Sequence, residues 1–155
     1  MDNAFLFDEN STGICSEQDY PYVMHRHWLQ GCLSQKEDGC IPVNHTRVET
    51  FYDVDNTVEA LVAAIAQQPV SVAIEADQQT FQFYKSGVYD DPACGGTLDH
   101  GVAAVGYGTL TTTAATPTSV TLSLATDDDD DSTNGNGKDY FKVRNSWGAS
   151  WGDNG

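Results

Sequence analysis

Basic side chains are scarce in this 155-residue sequence, which has seven Lys and Arg residues against 23 Asp and Glu. The resulting formal net charge of −16 repels phosphate backbones and anionic lipid headgroups. The composition therefore argues against nucleic-acid binding, and against attachment to anionic membrane surfaces, as the main function.

Long apolar runs are also missing. No stretch approaches the roughly 18 consecutive apolar residues of a transmembrane helix. The opening segment, Met1-Asp2-Asn3-Ala4-Phe5, has neither the basic part nor the apolar part of a secretory signal peptide. We therefore expect no membrane partner, and no signal peptide in the sequence given.

Cysteines are few and widely spaced, at positions 15, 32, 40 and 94, with no Cys-x-x-Cys pair. The spacing disfavours a zinc ribbon, and the even count fits disulfides and free thiols equally well. Two glycosylation sequons, Asn10-Ser11-Thr12 and Asn44-His45-Thr46, favour an oxidising compartment when they are taken together with the cysteines. If that compartment is correct, the true beginning of the protein precedes this sequence.

The sequence gives little indication of a bound metal or cofactor, and we predict neither. His25 and His27 would need a third ligand that nothing in the sequence indicates, so a surface position is the simpler interpretation. Residues 127–131 are a run of Asp, but the spaced ligands and turn glycine of a calcium loop are missing.

Hydrophobic periodicity predicts one helix followed by strands, which is an α+β class. The helix has an apolar stripe at Val58, Leu61, Val62 and Ile65, and it ends before Pro69. Asn56 is the predicted cap, with Glu59 as its reciprocal partner. Strands are predicted at residues 70–75, 101–107 and 140–145, with partly β-like sequence at 43–54 and the end of a helix at 2–7. Residues 109–138 are Thr-, Ala- and Asp-rich and predict a disordered acidic insertion.

His100 and Asn145 stand out as candidates for chemistry. His100 begins a Gly-rich apolar strand, where the backbone fixes it while its ring can reach a cleft; spacing alone leaves a functional and a structural role equally open. Asn145 ends a strand, and Trp147 and Trp151 follow it, each before a Gly. An Asn carbonyl can orient an imidazole, and an indole can exclude water from that hydrogen bond. The alternative is an Asn cap beside core tryptophans.

Six ordered stretches resemble the papain family of cysteine peptidases, in the style of the cathepsin L group. They are Met1-Asp2-Asn3-Ala4-Phe5, Asp19-Tyr20-Pro21-Tyr22, residues 68–74, residues 81–89, Leu98-Asp99-His100-Gly101-Val102 and Val143-Arg144-Asn145-Ser146-Trp147-Gly148. Together they extend over nearly all of the sequence outside residues 23–45 and 109–138.

The resemblance implies roles for individual residues. His100 matches the catalytic histidine, Asn145 the residue that orients it, and Trp147 the indole that covers their hydrogen bond. Met1, Ala73 and Leu98 match positions that line the S2 pocket, which implies an apolar P2 residue (the second residue before the cleaved bond).

The cysteines match the family only in part. Cys94 resembles a cysteine whose disulfide partner lies near the family's C-terminus. One of Cys32 and Cys40 matches a cysteine whose partner precedes Met1, although a local Cys32–Cys40 disulfide is the alternative. The nucleophilic cysteine is absent, because in the family it lies upstream of Met1, and none of the four cysteines replaces it. Met1 thus resembles an internal methionine, and the sequence stops before the family's closing strand.

The implied architecture has two domains with a cleft between them. Residues 1–45 would be a remnant of the helical left domain without its central helix, and residues 46–155 a truncated right β-barrel domain. The implied partners are polypeptide substrates and propeptide or cystatin-like inhibitors. The implied complete protein is a monomer, and its location is the lysosome or vacuole, or outside the cell.

The implied function is that of a cysteine endopeptidase with a Cys–His–Asn triad. This chain would supply only the His and the Asn, and would be inactive alone. The alternative is a non-catalytic binding or inhibitory module that retains the barrel and the S2 pocket.

Overall fold

The chain divides into two compact units, Met1–Asp53 and Val54–Gly155. The computed structural model describes residues 1–22, 41–111 and 137–155. The division follows residue 53, whereas the sequence predicts a boundary after residue 45. His25, His27, Cys32 and Cys40, and the insertion from 112 to 136, lie outside the described residues.

The first unit contains helix α1, Asp2–Glu9, and extended segments joined to it by side chains. The Asp8 carboxylate accepts hydrogen bonds from the Ser11 hydroxyl and from the main-chain N–H of Val48. The Phe5 ring stacks on Phe51, with the ring centroids 5.4 Å apart. The helix predicted at 2–7 is therefore present, whereas the β-like pattern at 43–54 forms no strand.

In the second unit, helix α2, Val58–Ile65, packs against the sheet described below. Its cap is Thr57 instead of the predicted Asn56, since the Thr57 hydroxyl accepts from the Ala60 N–H at 3.2 Å. The apolar stripe is buried progressively along the helix, because Val58 is 53% exposed whereas Ile65 is buried.

Three antiparallel strands form the sheet, in the order β1-β2-β3. They are β1, Val70–Ile74, β2, His100–Thr111, and β3, Gly137–Arg144, and a short helix α3, Gln79–Gln82, lies between β1 and β2. The strands β2 and β3 extend into both ends of the predicted insertion, so residues 109–111 and 137–138 are strand.

A bulge interrupts the pairing of β2 with β3. Arg144 pairs with Ala103 and Val143 with Ala104, but Lys142 then pairs with Gly106, so Val105 is an extra residue in β2. The bulge therefore shifts the register between the two parts of this strand pair by one residue.

Candidate active site

The strand register brings His100 and Asn145 to one face of the sheet. Asn145 directly follows Arg144, so the register on its side of the bulge places it opposite Val102. Side chains two residues apart in a strand share a face, so His100 lies on the same face as Val102. The register on the far side of the bulge would instead place Asn145 opposite Ala103, on the other face.

The two side chains are joined by a hydrogen bond of 2.9 Å between His100 Nε2 and Asn145 Oδ1. The same oxygen accepts from the Ser146 main-chain N–H at 2.7 Å. An amide oxygen only accepts, so Nε2 of the imidazole carries the hydrogen. The Ser146 N–H fixes the amide orientation, because a flipped amide would direct its NH2 group at this main-chain donor.

This arrangement leaves Nδ1 of His100 as the proton-accepting nitrogen of the neutral ring. Within the described part of the chain, no hydrogen bond to Nδ1 is present. Asn145 is only 7% exposed, and its Nδ2 atom is buried with no partner among the described residues. The contribution of Asn145 to the site is therefore made through its oxygen, and the site can hold a proton at Nδ1.

Trp147 covers the His100 ring. The two rings stack with their centroids 5.1 Å apart and an interplanar angle of 27°. An indole face stabilises an adjacent cation, and it also keeps water from the nearby hydrogen bond. The stacked indole therefore holds the imidazole in one orientation and keeps water from its hydrogen bond with Asn145.

Trp147 packs against a cluster of aromatic side chains. Phe81 and Trp151 contact its ring edge-on, at centroid distances of 5.7 and 5.3 Å. The Trp151 Nε1–H donates to the Phe81 carbonyl at 3.2 Å, so the helix α3 is bonded to the segment that carries the tryptophans. This role of Phe81 and Trp151 was not predicted, although the aromatic residues at 81–89 and the spacing of Trp147 and Trp151 were signals for it.

Tyr84 belongs to the same cluster, since its ring contacts that of Trp151. A Cβ added to Gly152 would lie only 3.0 Å from the Tyr84 ring. Gly152 also has a φ of 58°, a backbone conformation that favours glycine. Burial and the nearby Asp153 carboxylate raise the pKa of the Tyr84 hydroxyl above its ordinary value. The hydroxyl therefore stays protonated and donates to the Gly87 carbonyl at 2.6 Å.

The other predicted site residues fall in different places. Ala73 lies on β1 and Leu98 two residues before β2, and both are exposed; Met1 belongs to the first unit, just before α1.

Cys94 is an exposed free cysteine, so its predicted disulfide stays a prediction. Cys15, which the sequence analysis did not single out for pairing, is disulfide-bonded. Over the described ranges, no His, Cys, Asp and Glu group suits a metal ion, and no helix is long and apolar enough to cross a membrane.

Comparison with known proteins shows the family of the chain. The model of the papain family cysteine protease matches residues 1–155, so the chain belongs to the papain family. The probable cysteine protease RDL2 and the cysteine proteinase RD21A, both of Arabidopsis thaliana, are 41% and 39% identical over all of this chain. The chain covers 34% and 27% of their respective lengths, so it spans about a third of these relatives or less.

Solved structures show the same fold. The bromelain protease of Ananas comosus, in complex with the E64 inhibitor, is 32% identical with a TM-score of 0.64; the match covers 98% of this chain and 55% of that one. The protein described here therefore has a papain-like α+β fold.

Proposed function

We propose that the protein acts as a cysteine endopeptidase in which His100 and Asn145 are two members of a Cys–His–Asn triad. The observation that supports this most strongly is the 2.9 Å hydrogen bond between His100 Nε2 and Asn145 Oδ1 under the stacked Trp147 ring. It gives a base of fixed tautomer whose Nδ1 can face a thiol.

The reaction begins when a cysteine thiol gives its proton to Nδ1 of His100, which forms a thiolate and an imidazolium. The thiolate attacks the carbonyl carbon of the peptide bond. As the C–N bond breaks, the imidazolium protonates the leaving amine, and a thioester remains. A water molecule then gives a proton to His100 while its oxygen attacks the thioester. The carboxylic acid leaves, and the thiolate–imidazolium pair is restored.

The nucleophile in this proposal is none of the four cysteines of this chain. Cys15 is disulfide-bonded and therefore carries no thiol. Cys94 is exposed and lies in a turn, where its main-chain N–H donates to the Asp91 carbonyl. His100 without a thiol is a base with nothing to deprotonate, so this chain alone would be inactive.

The proposed substrate preference rests on the apolar residues Ala73 and Leu98, which would contribute to an S2 pocket and select an apolar P2 side chain. Leu98 is 65% exposed, so its side chain is available for such a contact. The proposed partners are polypeptides and propeptide or cystatin-like inhibitors. The proposed complete enzyme is monomeric, and it resides in the lysosome or vacuole or is secreted.

The experiment is an assay of the native gene product on fluorogenic peptides that differ only at P2. We expect kcat/KM to be at least about tenfold higher with Leu than with Asp at P2, because burying a charge in an apolar pocket costs free energy. We also expect inhibition by E-64, the inhibitor present in the structure of the bromelain protease. Peptide binding without hydrolysis would contradict the enzyme and favour the non-catalytic module.

Replacing Asn145 by Leu tests the orienting role. We expect kcat/KM to fall by about 10²-fold, because His100 loses the acceptor that fixes its tautomer. The free energy of unfolding should change by only about 1 kcal/mol, since Leu also removes the unpartnered Nδ2. The measurements are steady-state kinetics and urea unfolding of the native gene product.

The matched control for this variant is Asn56→Leu, at an exposed position before α2. Its kinetics should equal those of the parent. An Asn145→Leu enzyme with parental kcat/KM would show that the hydrogen bond does not serve catalysis.

A further inference from the structure

The Glu75 carboxylate reaches from the end of β1 to the loop that precedes His100. Its Oε2 accepts a hydrogen bond from the Thr97 main-chain N–H at 2.5 Å, and its Oε1 accepts from Gln78 Nε2 at 2.9 Å. The carboxylate also lies against Gly95, where an added Cβ would be 2.5 and 2.7 Å from its two oxygens. Any residue with a side chain at position 95 would therefore displace the carboxylate.

Two further hydrogen bonds hold the same loop to β1 on the other side of Leu98. The Asp99 N–H donates to the Ile74 carbonyl at 3.1 Å, and Asp99 Oδ1 accepts from the Ala76 N–H at 2.8 Å. Both neighbours of Leu98, Thr97 and Asp99, are therefore hydrogen-bonded, yet the Leu98 side chain is 65% exposed. A fixed backbone under an exposed apolar side chain is the arrangement expected of a recognition residue.

We propose that Glu75 is a positioning residue for substrate selection, which fixes the backbone of residues 95–97 so that Leu98 presents one surface to the P2 side chain. The inference rests on the proposed function, whose specificity it explains. On the His100 side of Leu98, the two hydrogen bonds of Asp99 and the pairing of His100 with Ile74 fix the backbone. On the other side, among the described residues, the Thr97–Glu75 bond is what ties it to β1.

The Glu75–Gln78 contact permits a test by exchange of partners. Glu75→Gln keeps both bonds only if the Gln78 amide turns to accept, which breaks the bond from Gln78 Nε2 to Asp77 Oδ1; without that turn, the two NH2 groups face each other. The double variant Glu75→Gln with Gln78→Glu restores a donor facing an acceptor and leaves the net charge unchanged. Glu75→Ala removes both bonds, and Glu59→Ala, at an exposed position on α2, is the matched control for loss of charge.

The variants are made in the native gene product and assayed with a peptide that has Leu at P2 and with an ester that has no P2 residue. We expect Glu75→Ala to lower kcat/KM for the peptide about tenfold, mainly through KM, and to leave the ester within about twofold. Glu75→Gln should be intermediate, the exchanged pair should recover most of the loss, and Glu59→Ala should match the parent.

Amide hydrogen exchange at Thr97 is measured on the same proteins and does not depend on activity. Exchange should be faster in Glu75→Ala and slow again in the exchanged pair. Equal losses on peptide and ester, no recovery in the exchanged pair, or unchanged Thr97 exchange would each overturn the positioning role. A parent protein that hydrolyses neither substrate would instead overturn the proposed function, while Thr97 exchange would still decide whether Glu75 fixes the loop.

Discussion

Replacing His100 by Gln is expected to lower kcat for peptide hydrolysis by about 10³-fold. Gln fills much of the same space and can still hydrogen-bond to Asn145, but it cannot hold a proton as a cation beneath the Trp147 ring. The thiolate then loses its counter-charge, and the leaving amine loses its acid.

Substrates with different leaving groups distinguish the loss of the counter-charge from the loss of the acid. A nitrophenyl ester has a leaving group that needs no proton, so its hydrolysis should fall less than that of an amide with the same acyl group. The control is His45→Asn, because His45 is exposed and has a φ of 64°, a conformation that Asn tolerates. Peptidase activity within tenfold of the parent in His100→Gln would remove His100 from the mechanism.

The second large effect concerns stability. Trp151→Ala should lower the free energy of unfolding by about 3–5 kcal/mol, the usual cost of truncating a buried aromatic residue to Ala. Trp151 is 9% exposed, contacts the rings of Phe81, Tyr84 and Trp147, and donates to the Phe81 carbonyl. The measurement is urea unfolding of the native gene product.

Two further variants divide this effect between packing and hydrogen bonding. Trp151→Phe keeps an aromatic ring and removes only the indole donor to the Phe81 carbonyl, which still accepts from the Tyr84 N–H, so the lost hydrogen bond should cost about 0.5–1.5 kcal/mol. Phe83→Ala is the control, because that ring is 72% exposed and its loss should change stability by less than about 0.5 kcal/mol. Equal stabilities for Trp151→Ala and Phe83→Ala would show that the cluster does not support the fold.

The parts of the fold that the sequence predicts well are those with local periodicity. The stripe from Val58 to Ile65 and the alternation at residues 70–74 appear as α2 and β1. The four-residue helix α3 is too short to show a period. The choice of Thr57 over Asn56 as cap could not be predicted, because both residue types cap well and the backbone path decides between them.

Long-range features were not accessible from residue patterns. Spacing left the role of His100 open, and only the resemblance to the papain family joined it to Asn145, which is 45 residues away. The hydrogen bond from Thr97 to Glu75 spans 22 residues and that from Trp151 to Phe81 spans 70, and no local pattern marks either one. The register shift between β2 and β3 is likewise invisible in the composition of the strands.

The two strand pairs between the bulge and the site determine which changes in chain length leave the site intact. Residues 112–136 connect β2 to β3 beyond the bulge, so a change in their number leaves the pairing of Ala103 with Arg144 intact. Loss of Val105 alone would join the two registers into one and keep every pair, because Gly106 opposite Lys142 would then directly follow Ala104 opposite Val143, and Asn145 would stay opposite Val102. A descendant of this sequence could therefore gain or lose residues beyond Ala104 and Val143 and still keep His100 and Asn145 on one face of the sheet.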